Sequence, residues 1–159
     1  MKKQLITFFI ILSGLNLFSQ VKFEKGYIIN SKNEKTECFI KNMDWMGIPS
    51  KIDYMISENG QLETIDFSKM NAFQIYNSSH YYIKTEVDVD RDADVADFKP
   101  KKVVTVLKVL IDGVASLYSS SEIFFYKIND AAIKQLVYKK FITADYKLQE
   151  DNAYQRELY

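Results

Sequence analysis

Between Tyr81 and Asp90 the chain alternates regularly enough to fix its local structure. Tyr81, Ile83, Val87 and Val89 share one face of an extended segment, while Lys84, Glu86, Asp88 and Asp90 share the other. Successive strand side chains point to opposite faces, so this segment is expected to bury one side and wet the other. The same period recurs upstream. Val21, Phe23, Tyr27 and Ile29 fall on one face, Asn30 to Glu34 is a polar turn, and Thr36, Cys38 and Ile40 resume the alternation as a first hairpin. Met43 to Ser50, interrupted by Gly47 and Pro49, reads as a loop. Ile52, Tyr54 and Ile56 make the next strand, Asn59-Gly60 signals a hairpin, and Leu62 to Phe67 pairs back.

Further along, Ala72 to Tyr76 is a short apolar run ended by Asn77-Ser78-Ser79. Val103 to Ile111 is almost continuously apolar and reads as a central strand. Asp112-Gly113 turns into Val114 to Tyr118, and Ile123 to Ile128 is another strand before the turn at Asn129-Asp130. Ile133 to Ile142 carries both periods; in the company of strands it is read as strand. Glu150 to Tyr159 opens with acidic and capping residues, and Leu158 falls four after Tyr154, so a short helix is expected from about 150. The 11 Tyr and 11 Phe favour strands with large side chains between them. The fold class predicted is mainly β: nine or ten antiparallel strands in a sandwich or barrel-like arrangement, a short C-terminal helix, and an N-terminal signal-peptide helix.

That signal peptide is residues 1–19. Lys2 and Lys3 supply the positive end, Leu5 to Leu17 the apolar stretch, and Ser19 a small residue before Gln20. Thr7, Ser13, Gly14 and Asn16 interrupt the apolar stretch, which is short of the roughly 20 apolar residues a spanning helix needs. Residues 20–159 then form one β-rich exported domain of ordinary size. A lipid-anchored bacterial protein would carry a cysteine at the cleavage point, and the single cysteine, Cys38, lies downstream. Cys38 has no partner for an internal disulfide and sits on an alternating face, so a buried thiol is expected.

The remaining chemistry is read mostly by exclusion. Lys and Arg number 21 against 21 Asp and Glu, with no basic stripe, so nucleic acid is not an expected partner; Lys99 to Lys102 reads as the solvated start of a strand. No phosphate-binding glycine loop, serine-hydrolase elbow or paired-histidine metal motif occurs, so no nucleotide partner is expected. His80, the single histidine, follows Ser78 and Ser79 in a turn and reads as exposed. Asp88, Asp90, Asp92 and Asp94, at every second position with Asp97 beyond, resemble the start of a calcium loop. Counting from Asp88, however, Ala93 takes the glycine place and Lys99 the bidentate glutamate place; counting from Glu86, Arg91 takes the glycine place. A solvated acidic loop is the expectation. Trp45 with Pro49 reads as an aromatic pinning its loop to the core, with a ligand platform as the alternative. Catalytic, cofactor-binding and metal residues are each expected to be none, and no cofactor is expected.

Phe23-x-x-Gly26-Tyr27-Ile28-Ile29, Asp44-Trp45 with Pro49 and Ile52, Val109-Leu110-Ile111-Asp112-Gly113-x-Ala115-Ser116-Leu117-Tyr118, Gln135-Leu136-x-Tyr138-Lys139 and Tyr154-x-x-x-Leu158 together resemble a family of uncharacterised exported proteins from the Bacteroidota. The resemblance spans most of residues 20–159, and none of its motifs is catalytic. It implies an N-terminal β-rich module that longer members follow with an outer-membrane β-barrel; no segment of this sequence is assigned to such a barrel. The expected function is a non-enzymatic periplasmic or cell-surface module, binding or accessory to an outer-membrane or other cell-envelope protein. The alternatives are a calcium-stabilised adhesion domain and a hydrolase using surface carboxylates.

Overall fold

The computed structural model describes residues 22–43, 45, 47–91, 99–143, 145–151 and 155. The expected signal peptide therefore lies outside the described residues. Among the described residues there are twelve strands: β1 (Phe23–Asn30), β2 (Lys35–Lys41), β3 (Lys51–Met55), β4 (Glu63–Asp66), β5 (Met70–Ile75), β6 (Tyr81–Val89), β7 (Lys101–Ile111), β8 (Ala115–Ser120), β9 (Ile123–Ile128), β10 (Lys134–Gln135), β11 (Lys139–Ile142) and β12 (Leu148–Asp151). A single 3-10 turn, Phe67–Lys69, links β4 to β5.

Ten of these strands form one sheet in the order β10-β9-β8-β7-β6-β5-β1-β2-β3-β4, and β11 with β12 forms a separate hairpin. Every pairing is antiparallel. The main body is thus one large sheet, where two stacked sheets were one of the arrangements expected. β7 is a central strand, as its apolar run implies, and β9 has the bounds read from the sequence. The segment from Ile133 to Ile142 is extended in two pieces, β10 and β11, split between Gln135 and Lys139.

The sheet buries opposite faces in its two halves. In β6, Tyr82 belongs to a core with Ile28, Cys38, Ile40, Ile52, Phe67, Met70, Phe73 and Ile75. On the other face of the same strand, Val87 and Val89 join Leu107, Val109, Tyr118 and Phe125, with Tyr81 and Ile83 packed against them. Strand side chains alternate, so one strand serves two cores when the sheet curls one way on its first side and the other way on its second. Among the described residues neither half is closed by a backbone ladder. On the β10 side the Gln135 amide does the closing: its Oε1 accepts from the Asp90 N–H at 2.8 Å and its Nε2 donates to the Asp90 carbonyl at 2.9 Å.

Two expectations are corrected here. In β1 the buried positions are Gly26 and Ile28, while Tyr27 and Ile29 on the predicted face are only half-buried. Both faces of β1 carry apolar residues, and the choice falls to Gly26, whose lack of a side chain lets β5 approach. Second, 150–151 are strand rather than helix: Glu150 pairs with Lys140 and Asp151 with Lys139. No C-terminal helix is seen; Gln155, with helical backbone, is the single described residue beyond Asp151. The turn carrying Asn59-Gly60 connects β3 to β4 as expected; among the described residues no glycine has positive φ, and this turn is closed by the Gly60 N–H donating to the Ser57 carbonyl at 2.9 Å. Left-handed turn positions go instead to Asn33, Asn77, Ser121, Asn129 and Tyr146, asparagine being the non-glycine residue that tolerates them best.

Candidate functional site

Of the residues singled out by sequence, Cys38 is a buried free thiol as expected. Removal from water pushes its pKa up to about 12, so it stays protonated and unreactive at neutral pH. Lys99, Lys101 and Lys102 are exposed at the start of β7, also as expected. Trp45 packs on the first core, its ring meeting Phe73 edge-on with centroids 5.6 Å apart, which is the loop-pinning role read for it.

His80 departs from its expected place. It is buried, with its ring 5.1 Å from Trp45 at a near-right angle and stacked parallel to Tyr82 at 6.4 Å. The tight turn Asn77 to His80 is bound to itself: Ser78 Oγ donates to the Ile75 carbonyl and accepts from the His80 N–H. That fixes the backbone so that the imidazole tucks under the indole. Ser78 and Ser79 thus belong to turn architecture.

The acidic run splits. Asp88 is exposed on β6, Asp90 is buried, and Asp92, Asp94 and Asp97 lie outside the described residues. The alternation of β6 assigns Asp90 to the wet face with its neighbours. It is buried because β6 ends at Val89 and the carboxylate turns in to meet the Lys139 ammonium at 2.8 Å and the Lys99 N–H at 2.7 Å. One of its oxygens is therefore committed to an ammonium. Among the described residues no group of three or more His, Cys, Asp or Glu side chains converges as a metal site would.

Beside this ion pair an open cleft of about 700 Å³ runs between the β8–β9 turn and the segment from Gln135 to Lys139, with Glu122, Phe124 and Tyr138 in its walls. A second, smaller cleft of about 340 Å³ lies against the sheet where Trp45 leans over Tyr82, Lys108 and Ser119. Register puts its floor in one cross-strand row, Tyr82 opposite Lys108 and Lys108 opposite Ser119, which Phe73 continues on one side and Phe124 on the other. The row begins inside the first core and ends at an exposed phenylalanine. Along it the same face of the sheet passes from dry to wet.

Comparison with protein-family models, curated proteins and solved structures gave no match. The resemblance to exported Bacteroidota proteins rests on the sequence residues quoted for it.

Sequence reading missed both Tyr82 and Lys108 as cleft residues. Tyr82 interrupts an alternating strand as one apolar residue on the charged face, and that mismatch was the available signal. Lys108 sits inside an apolar run and is the one charged residue of that run. A lysine inside a central strand is the kind of local conflict that marks a site or an opening in the core.

Proposed function

We propose that the chain is an exported, non-enzymatic β-rich module of the periplasm or cell surface that binds, or is accessory to, an outer-membrane protein. The export half of the reading is supported by Lys2, Lys3, the apolar stretch Leu5 to Leu17 and Ser19.

The observation that carries the binding half is an apolar surface on the outer face of the C-terminal half of the sheet. Ile111, Phe124 and Ile128 are exposed there, with half-buried Leu117 between them, and the pairings Ile111–Leu117 and Leu117–Tyr126 put them on one face. Singly exposed apolar side chains are ordinary, whereas several grouped on one sheet face mark a surface that another molecule covers.

The test is made in cells that export the full chain. A photo-crosslinking residue at Ile111 or Phe124 should give a discrete adduct with an outer-membrane protein, and the same residue at exposed Lys32 should not. N-terminal sequencing of the recovered chain should begin near Gln20. A chain kept in the cytoplasm with residues 1–19 attached overturns the export half. Equal crosslinking from Ile111 and Lys32 overturns the binding half.

A further inference from the structure

The smaller cleft brings together polar groups that the packing around them leaves unanswered. Tyr82 is 1% exposed, yet its phenolic hydroxyl has no hydrogen-bond partner among the described residues. Leaving a buried donor unsatisfied is costly, and native structures rarely do so without a water or ligand to answer it. Directly opposite on β7 is Lys108, half-buried and forming no ion pair among the described residues, followed on β8 by Ser119. Over them stands Trp45, edge-on to Tyr82 with centroids 6.4 Å apart. The floor thus offers an O–H donor, a cation and a hydroxyl in adjacent register positions, and the wall is an indole.

We propose that this cleft binds a small carboxylate whose body is a flat apolar ring. The carboxylate takes the Lys108 ammonium and the Tyr82 hydroxyl, and the ring lies against Trp45. The cleft volume, about 340 Å³, is at the lower end of the range that small ligands occupy. Donors of this kind suit an oxyanion, because hydrogen bonds to a charged acceptor are the stronger ones. A bare anion would leave the indole wall unused, and a neutral ring would leave Lys108 unanswered. The hydroxyl is closed off from solvent, and its residue lines the same cleft as Trp45 and Lys108. This site is independent of the export reading and of the partner surface.

Trp45 is the only tryptophan in the chain, so its emission reports on the cleft directly. The full chain is titrated with benzoate, with benzamide as the neutral isostere and with inorganic phosphate as an anion lacking the ring. Benzoate is expected to give a saturable change in Trp45 emission at low-millimolar concentration, with benzamide and phosphate each weaker by about tenfold or more, the scale of a lost charge-assisted contact. Tyr82→Phe removes only the unpartnered hydroxyl. That variant should melt at the same temperature or higher while binding benzoate about tenfold more weakly, and Lys108→Met should do likewise for binding. The absence of a saturable response to benzoate leaves the hydroxyl to a bound water and overturns the proposal. Benzamide binding as tightly as benzoate, or benzoate binding unchanged in both variants, overturns it too.

Discussion

The ammonium of Lys139 meets the carboxylate of Asp90 at 2.8 Å with both side chains closed off from solvent, 4% and 1% exposed. Two charges taken out of water gain little over a well-packed apolar pair, but removing one of them strands the other. Asp90→Asn and Lys139→Met are each expected to cost about 3–5 kcal/mol in urea unfolding. The double variant should cost less than the two losses summed, because no stranded charge remains, and a double-mutant cycle measures the difference. Single losses below about 1 kcal/mol would place the pair among solvated ion pairs.

Gly26 is expected to tolerate nothing larger. A Cβ there would stand 2.1 Å from the Gln74 carbonyl oxygen and 3.1 Å from Ile40 Cδ1. The first obstacle is backbone of β5, which cannot rotate aside, so β1 and β5 would have to separate along the Gly26–Ile75 ladder. Gly26→Ala should destabilise by at least about 3 kcal/mol, beyond the usual range for a single added methyl group. Gly47→Ala, where nothing lies within 4 Å, is the control and should melt within a degree or two of the parent. Both are read by thermal melting monitored by circular dichroism.

The elements legible in the sequence were those whose evidence is local. Alternation located β6, the aromatic-rich run before Asn129-Asp130 located β9, and asparagines marked the turns at 33, 77 and 129, where φ is positive. What escaped depended on distant partners. Asp90 looks like one more acid on a wet face until Lys139, 49 residues away, folds onto it. His80 looks exposed until Trp45 arrives from the β2–β3 loop. The buried face of β1 could not be chosen from Tyr27, Ile28 and Ile29, which are apolar on both sides. The helix read at Glu150 gave way because Lys140 pairs with it across a hairpin, at 2.9 Å between side chains. The cleft under Trp45 is the hardest case, since its floor draws one residue from each of three strands.

Cys38 makes the fold sensitive to alkali. Its pKa is raised by burial to about 12, so the thiol ionises in the unfolded chain before it does in the folded one. With the folded pKa the higher, stability is unaffected below pH 9 and falls as pH rises from there toward 12. The slope for one such proton is at most about 1.4 kcal/mol per pH unit. Tyr54, pushed up to about 12 by its hydrogen bond to Glu63, adds to the loss at higher pH. Cys38→Ala should unfold more readily at neutral pH, from the lost packing, yet show a shallower decline between pH 9 and 10. Thiol labelling with a disulfide reagent should be silent in the native protein and complete in urea. Rapid native labelling would show that Cys38 is reached without unfolding.

The shared strand predicts how the molecule comes apart. β6 pairs with β7 over eight consecutive positions, from Tyr82–Lys108 to Val89–Lys101, the longest ladder in the sheet. It also supplies Tyr82 to one core and Val87 and Val89 to the other, so neither core can open fully without exposing this ladder. Phe73→Ala in the first core and Phe125→Ala in the second should each cost about 3–5 kcal/mol, and each should lower a single cooperative transition. In native-state hydrogen exchange the amides of β6 and β7 should exchange last, while those of the edge strands β4 and β10 and of the β11–β12 hairpin should exchange first. If instead Phe125→Ala melts β7 to β9 and leaves β1 to β5 protected, the two halves fold as separate units, and β6 serves as a hinge between them rather than a common spine.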